Sequence, residues 1–484
     1  MKLSLRLARL GYGAFALFAA LLFFLGLFRP VMSNAERVAA GVLLFCPTGA
    51  FALWGLSAFI SRWKTRRAVI FLAVLCLAVK LLWVLTVRVA PAVDYKTFYD
   101  TAAALAERGR ISSRYAALFP HIMGYALFLS GLFRMFGKGV EVAILANVVI
   151  STLSMLLIFY ICDKIASRRA AVAAALLWTG YPAQTMFNMF VLSEPLYSLM
   201  LLLIWAAVVY VEGRMDFRHQ GILVAAGVIL PLMLALLNML RPIALVQLLA
   251  FLIYAALGLR KNRGVKRARL FAVALSVLIC YFSFGAMTSA YLTERLGENP
   301  ATLPGYNIYV GFNPISRGTW NQEDSARLFQ YSARPGWDAG RTQRQMLQDA
   351  LNRLRGEKGE LPSLLLDKFL ILLGDDSAAV FYAGDAIPQP RMAAILSNVF
   401  YYSMVLLALV GAVKAMREKS ISPLLMISLF GLGLTAAQLL VEVAGRYHYS
   451  ISLSLLITAA CAFGKNTKDN DSYSHKTDHS TKLC

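Results

Sequence analysis

The sequence predicts an all-α polytopic membrane protein, and three observations carry that prediction. Hydrophobic residues fill 59% of the 484 positions and charged residues only 15%, where a soluble domain carries roughly a quarter charged. Mean hydropathy is +0.62. Apolar runs recur at the roughly 20-residue length that crosses about 30 Å of hydrocarbon. They are continuous rather than alternating at every second residue, which selects helices over a closed barrel.

In chain order, membrane helices are expected at 12–30, 38–60, 68–88, 139–162, 170–191, 194–211, 220–238, 242–258, 270–292, 396–414, 421–441 and 446–463, about 12 in all. The basic start, Met1 to Arg9, lacks a small-residue cleavage site and reads as an uncleaved anchor. Segment 118–136 is apolar but short, and Pro120, His121 and Arg134 interrupt or flank it. If it crossed, Lys164, Arg168, Arg169 and the basic loop from Arg260 to Arg269 would fall outside. Short basic loops mark the cytoplasmic side. The segment is therefore read as an interfacial helix within an outer loop, 89–138, and both termini as cytoplasmic.

Four regions follow. Residues 1–292 form an N-terminal transmembrane bundle that includes the outer loop, and 293–395 an extracytoplasmic loop domain. Residues 396–463 hold the C-terminal membrane helices, and 464–484 a polar, disordered cytoplasmic tail. In the loop domain, Met346, Leu347, Leu351 and Leu354 space an amphipathic helix over 338–355. Residues 361–373, opening on Pro362, read as a second helix resting on the membrane surface. Tyr306, Tyr309, Phe312, Trp320, Tyr331 and Trp337 argue for an ordered domain.

The net charge of +22 does not point to nucleic acid, because its basic residues cluster in short loops beside membrane spans. The six cysteines, Cys46, Cys76, Cys162, Cys280, Cys461 and Cys484, show no CxxC or metal-ligand spacing.

Charged residues beside a bilayer are costly unless they have a task or a partner. Here they gather at one membrane face: Asp94 in the outer loop, Glu194 in Leu192-Ser193-Glu194-Pro195-Leu196, Arg241 in Asn238-Met239-Leu240-Arg241-Pro242, and Glu442, Arg446 and His448 in the stretch 441–449. Any one alone reads as a snorkelling helix end; together they suit an anion and a proton. Arginine grips phosphate oxygens through a planar fork, and a carboxylate at the surface accepts a proton from a hydroxyl. The substrate that fits is a lipid phosphate with a transferable headgroup.

At these residues the chain resembles the GT-C polyprenyl-phosphate-sugar glycosyltransferases, the group of protein O-mannosyltransferases and lipid A aminoarabinose transferases (glycosyltransferase family 39-like). The resemblance rests on Asp94-Tyr95 with Phe98-Tyr99-Asp100-Thr101-Ala102-Ala103, on Phe119-Pro120-His121-Ile122-Met123-Gly124-Tyr125, on Ser193-Glu194-Pro195-Leu196, on Arg241-Pro242, and on Arg446-Tyr447-His448-Tyr449. Where the family often shows two prolines, this chain has Pro120-His121. The resemblance implies inverting transfer of a sugar from a polyprenyl-phosphate donor to a protein, lipid or polysaccharide acceptor on the extracytoplasmic face. Asp94 is then the general base, with Asp100 in reserve. Arg241, Arg446 and His448 hold the donor phosphate; Glu194, Tyr95 and His121 order the arginines or bind the acceptor. The loop has no Asp-x-Asp pair, so no metal and no cofactor is expected.

Two rivals remain. An O-antigen-ligase-like polymerase would use a loop histidine, and residues 293–395 contain none. A lipid-linked sugar transporter or flippase would show repeated halves with polar residues at mid-bilayer; these polar residues sit at one face.

Overall fold

The computed structural model describes residues 2–214, 220–262, 264–356, 358–418 and 420–464. Arg263 and the expected tail at 465–484 lie outside the described residues. Every regular element among the described residues is helical.

Helices α1 (Lys2–Phe28), α2 (Ala35–Ile60) and α3 (Thr65–Thr86) lead into two shorter helices, α4 (Val93–Arg108) and α5 (Arg114–Leu118). Then come α6 (His121–Phe136), α7 (Val140–Ile165), α8 (Arg168–Gly180), α9 (Pro182–Met186), α10 (Glu194–Glu212), α11 (Gln220–Leu240), α12 (Ala244–Lys261) and α13 (Gly264–Leu296). An insertion carries α14 (Gly305–Gly311), α15 (Gln322–Ser332), α16 (Ala339–Gly356), α17 (Leu361–Leu373) and α18 (Ala378–Ala383). Helices α19 (Pro390–Glu418), α20 (Pro423–Gln438) and α21 (Tyr449–Cys461) close the chain, with a 3₁₀ turn, Gly445–His448, opening α21.

Among the described residues, eight helices are long and apolar enough to cross a membrane: α1, α2, α3, α7, α10, α11, α13 and α19. The other four predicted spans fall on α8–α9, α12, α20 and α21, which are shorter. Helix α6, the expected interfacial element, has 16 residues and is also below that length.

The predicted span 170–191 is corrected to a broken element. Pro182 lacks an N–H and drives the residue before it out of the helical region; Tyr181 is extended at φ −70°, ψ 110°. The broken end is satisfied from within the protein. Lys80, buried on α3, donates to the Trp178 carbonyl at 3.2 Å and the Thr185 hydroxyl at 2.5 Å. Asn147 on α7 donates to the Phe190 carbonyl at 2.8 Å. Irregular backbone at membrane depth persists only where protein supplies such partners.

The core centres on α21, whose residues are all buried and which packs on α19, α20 and α8. Gly411 lets α19 approach α21 so closely that a Cβ there would lie 1.9 Å from the Thr458 carbonyl oxygen. Large apolar side chains such as Leu43, Phe51 and Phe282 cover the outside, as a surface facing hydrocarbon should.

The insertion is ordered. Helix α16 covers the expected 338–355 and α17 the expected 361–373. Tyr306, Tyr309 and Tyr331 are buried, while Trp320 is exposed. The Arg353 fork grips Asp324, with Nη2 at 2.9 Å from Oδ1, and Asn313 donates to the other oxygen at 2.9 Å. Helix α17 packs against α1 and the 3₁₀ turn. Its Lys368 is buried and donates to the carbonyls of Gly311 and Leu439, both at 2.7 Å.

Candidate active site at one end of the bundle

The site forms where α3, α11 and α20 end and α10 and α21 begin. The chain leaves α3 in an extended stretch through Pro91 and re-enters helix at Val93. Val93 has φ 45°, a left-handed conformation that costs a β-branched residue energy and collects at functional positions. The next residue, Asp94, projects its carboxylate to Arg446 of the 3₁₀ turn, whose Nη2 donates to Oδ2. Asp94 is 39% exposed and Arg446 12%.

A second pair lies beside the first. Pro195 suits the first turn of α10, which places Glu194 at that helix's start. Glu194 is fully buried, and its Oε1 accepts from Arg241 Nη2 at 2.6 Å. The Tyr447 ring lies near both guanidinium groups, 5.0 Å from that of Arg241 and 5.5 Å from that of Arg446. Tyr197 backs Arg241 at 5.3 Å and Tyr382 backs Arg446 at 5.3 Å. The planar guanidinium of arginine both stacks on aromatic faces and makes cation–π contacts with them. Buried Nε atoms of both arginines and Oε2 of Glu194 have no hydrogen-bond partner among the described residues.

Two further groups feel these charges. The His121 imidazole is held below its ordinary range, to about 3, by desolvation and then by Arg241; it is neutral. Glu442 lies in the loop after α20, and its backbone N–H donates to the Asn307 carbonyl at 2.7 Å. Burial raises its carboxyl from 4.5 to about 7, against the pull of Arg446, with Asp94 adding to the rise.

An apolar cavity of about 580 Å³ opens between α6, α10, α11 and α13, lined by Leu127, Phe128, Leu196, Met200, Leu236 and Met239 among others. Its wall includes Leu240, the neighbour of Arg241. Helix α6 packs on α11 at Gly124, where a Cβ would lie 2.2 Å from the Met239 carbonyl oxygen.

The structure therefore gathers Asp94, Arg446, Arg241 and Glu194, with His121 nearby, as the sequence expects. Two of the expected residues are placed elsewhere. Asp100 is not in the cluster: six residues along a helix is not a whole number of turns, and Asp100 is exposed and paired with Lys96 at 2.5 Å. His448 does not face the arginines. Its Nδ1 lies 2.7 Å from the Leu372 carbonyl oxygen and its Nε2 2.8 Å from Asp376 Oδ1, so neither ring nitrogen is left for a phosphate. Tyr95 stays beside the cluster: its ring stacks on Phe190 at 5.0 Å, and its buried hydroxyl has no hydrogen-bond partner among the described residues. The sequence reading assigned no role to Glu442, Tyr447, Tyr382 or Asp376. For Glu442 and Tyr447 the signal was present, since they flank Arg446; Tyr382 and Asp376 belong to a distant segment and gave none.

Residues 120–284 match the dolichyl-phosphate-mannose-protein mannosyltransferase family. No curated protein matches the chain by sequence. Among solved structures, the archaeal oligosaccharyltransferase AglB from Archaeoglobus fulgidus, in complex with an inhibitory peptide and a dolichol-phosphate, aligns over 87% of this chain and 53% of its own, at 11% identity and a TM-score of 0.49. ArnT from Cupriavidus metallidurans, bound to undecaprenyl phosphate, aligns over 87% of this chain and 82% of its own, at 14% identity and a TM-score of 0.36. The chain spans about half the length of the archaeal enzyme. With an all-helical membrane architecture and that family's sequence pattern over 120–284, the chain resembles the GT-C polyprenyl-phosphate-sugar glycosyltransferases.

Proposed function

We propose that this chain is a membrane glycosyltransferase that moves a sugar from a polyprenyl-phosphate donor to an acceptor on the extracytoplasmic face. The observation that carries this reading is the placement of two part-buried arginines, each tied to a carboxylate, with an apolar cavity of about 580 Å³ whose wall includes Leu240, the neighbour of Arg241. The donor's phosphate sits against Arg241 and Arg446, and its isoprenoid tail enters the cavity. Glu194 orders Arg241 without cancelling its second donor edge. Arginine donors aimed at a leaving phosphate stabilise the charge that develops there.

Asp94 is the base. Its carboxylate takes the proton from the acceptor's hydroxyl or amine as that atom bonds to the anomeric carbon. The bond from that carbon to the phosphate oxygen breaks, and its electron pair leaves with the lipid phosphate. Attack opposite the leaving group inverts the anomeric centre. The step invokes no metal. The acceptor is a protein, a lipid or a polysaccharide, approached from the side of the 297–389 insertion. Both termini are cytoplasmic.

The reading is tested by mass spectrometry of lipid-linked sugars in cells that lack the protein. One polyprenyl-phosphate sugar should accumulate and fall again when the wild-type chain, but not Asp94→Asn, is restored. An unchanged pool in the deletion strain would refute the reading.

A further inference from the structure

Arg446 has to present a guanidinium to Asp94 and to an anion from a 3₁₀ turn only four residues long, Gly445–His448. A turn that short does not hold a side chain by its own hydrogen bonds. What holds it is His448, two residues on. The imidazole and the Asp376 carboxyl are 4% and 5% exposed. Leu372 O and the Asp376 carboxylate are both acceptors, yet each lies within 2.8 Å of a ring nitrogen. One proton must therefore sit on each of the two contacts, either as imidazolium against carboxylate or as neutral imidazole against a protonated Asp376.

The grip continues behind Asp376. Its backbone N–H donates to Asn398 Oδ1 at 2.9 Å, and Asn398 Nδ2 donates to Asp375 Oδ1 at 2.8 Å. The Tyr402 hydroxyl donates to the Gly374 carbonyl at 2.8 Å. Asn398 and Tyr402 belong to α19, in the core of the bundle. Buried and part-buried hydrogen bonds thus run from α19 through the 374–376 loop to His448, two residues from Arg446.

We infer that His448 and Asp376 are positioning residues: they lock the 3₁₀ turn to the 374–376 loop and so aim Arg446 at the donor phosphate. This rests on the proposed reading of Arg446 as a phosphate ligand. Buried hydrogen bonds are strong in a low-dielectric interior and hold their members in place, and a guanidinium displaced by an ångström loses the alignment its fork needs.

The experiment is a titration of the full-length protein, in nanodiscs, with undecaprenyl phosphate. Asp376→Leu and His448→Phe should each weaken binding by about tenfold or more, as misplacing a ligating group does. Asp376→Asn should stay near wild type. Its amide donates to Nε2 of a neutral imidazole whose Nδ1–H still meets Leu372, so the contacts survive without the charge. Combined with Arg446→Ala, Asp376→Leu should add no further loss, because it acts only through Arg446. Additive losses in that double variant, or wild-type affinity in Asp376→Leu, would overturn the inference. Should Asp376→Leu fail to fold, His448→Gln carries the same cycle, with partial rescue expected because one amide donor still reaches the Leu372 carbonyl. Wild-type affinity in Arg446→Ala alone would instead refute the phosphate reading itself, a different outcome from failure of the positioning pair.

Discussion

Arg446 and Asp94 are 352 positions apart in the chain and share a hydrogen bond. One stands in the turn that opens the last helix, the other at the start of the first helix beyond α3. That contact joins the proposed base to a proposed phosphate ligand.

Asp94→Asn keeps the shape of the side chain and removes its basicity. Sugar transfer should fall by about 10² to 10⁴, the contribution of a general base, while the protein still elutes as a folded species in detergent. Full activity in that variant would remove Asp94 from the mechanism. Asp100→Asn, which alters only an exposed pair with Lys96, should leave the rate within about twofold, as surface pairs contribute little.

Glu194 is fully buried against Arg241. Glu194→Ala leaves that guanidinium without its counter-charge, and breaking a buried pair costs about 3 to 5 kcal/mol. A clear drop in melting temperature is expected, with much of it recovered when Arg241→Met is added. Recovery of stability without recovery of donor binding would separate the structural role of the pair from the chemical role of Arg241.

Glu442 sets a pH dependence whose sign can be worked out. Its carboxyl loses its proton near 4.5 when unfolded and near 7 in the folded chain. Between these values the native state holds more proton than the unfolded state, so stability falls as pH rises through the window. Glu442→Gln cannot ionise and escapes that loss. The melting-temperature gap in favour of Glu442→Gln should therefore widen from pH 4.5 to pH 7 and then level off. A gap that stays flat across the window would show that Glu442 is not titrating there.

Filling the apolar cavity separates tail binding from phosphate binding. Met200→Trp projects a larger ring into the space between α6, α10, α11 and α13. Use of a long-chain polyprenyl donor should drop by about tenfold relative to a short-chain analogue, the scale of discrimination an apolar pocket achieves. Equal losses with both donors would place the tail elsewhere.

Sidedness is read by labelling single cysteines in a cysteine-free background. Ser112→Cys, in the connection between α4 and α5, should react with an impermeant maleimide from outside. Lys164→Cys, near the end of α7, should react only after permeabilisation. Both positions are exposed. Labelling of both from the same side would invalidate the topology built on the basic loops.

Much of the fold was readable because a bilayer imposes a length and a polarity on every helix that crosses it. The long spans and the two insertion helices, α16 and α17, follow from that constraint and from helical periodicity. The break at Tyr181-Pro182 was harder to see, since the apolar run continues through it; only Lys80 and Asn147, from other helices, show that its backbone is satisfied elsewhere. The site divides in the same way. Asp94, Glu194, Arg241 and Arg446 stood out because charge at a membrane face is expensive. His448 stood out for the same reason, yet it is committed to Leu372 and Asp376.

The sequence by itself determined that this chain is a helical membrane protein, and that its costly charges gather at one end. Both follow from local free energies: apolar residues per turn, and ions beside hydrocarbon. Tertiary structure alone decided which acid meets which arginine, that Tyr447 lies near both guanidiniums, and that a cavity opens beside Leu240, the neighbour of Arg241. Those pairings join segments hundreds of residues apart, and a hydrogen bond acts over about 3 Å. Only the packing of the helices brings such groups within that reach.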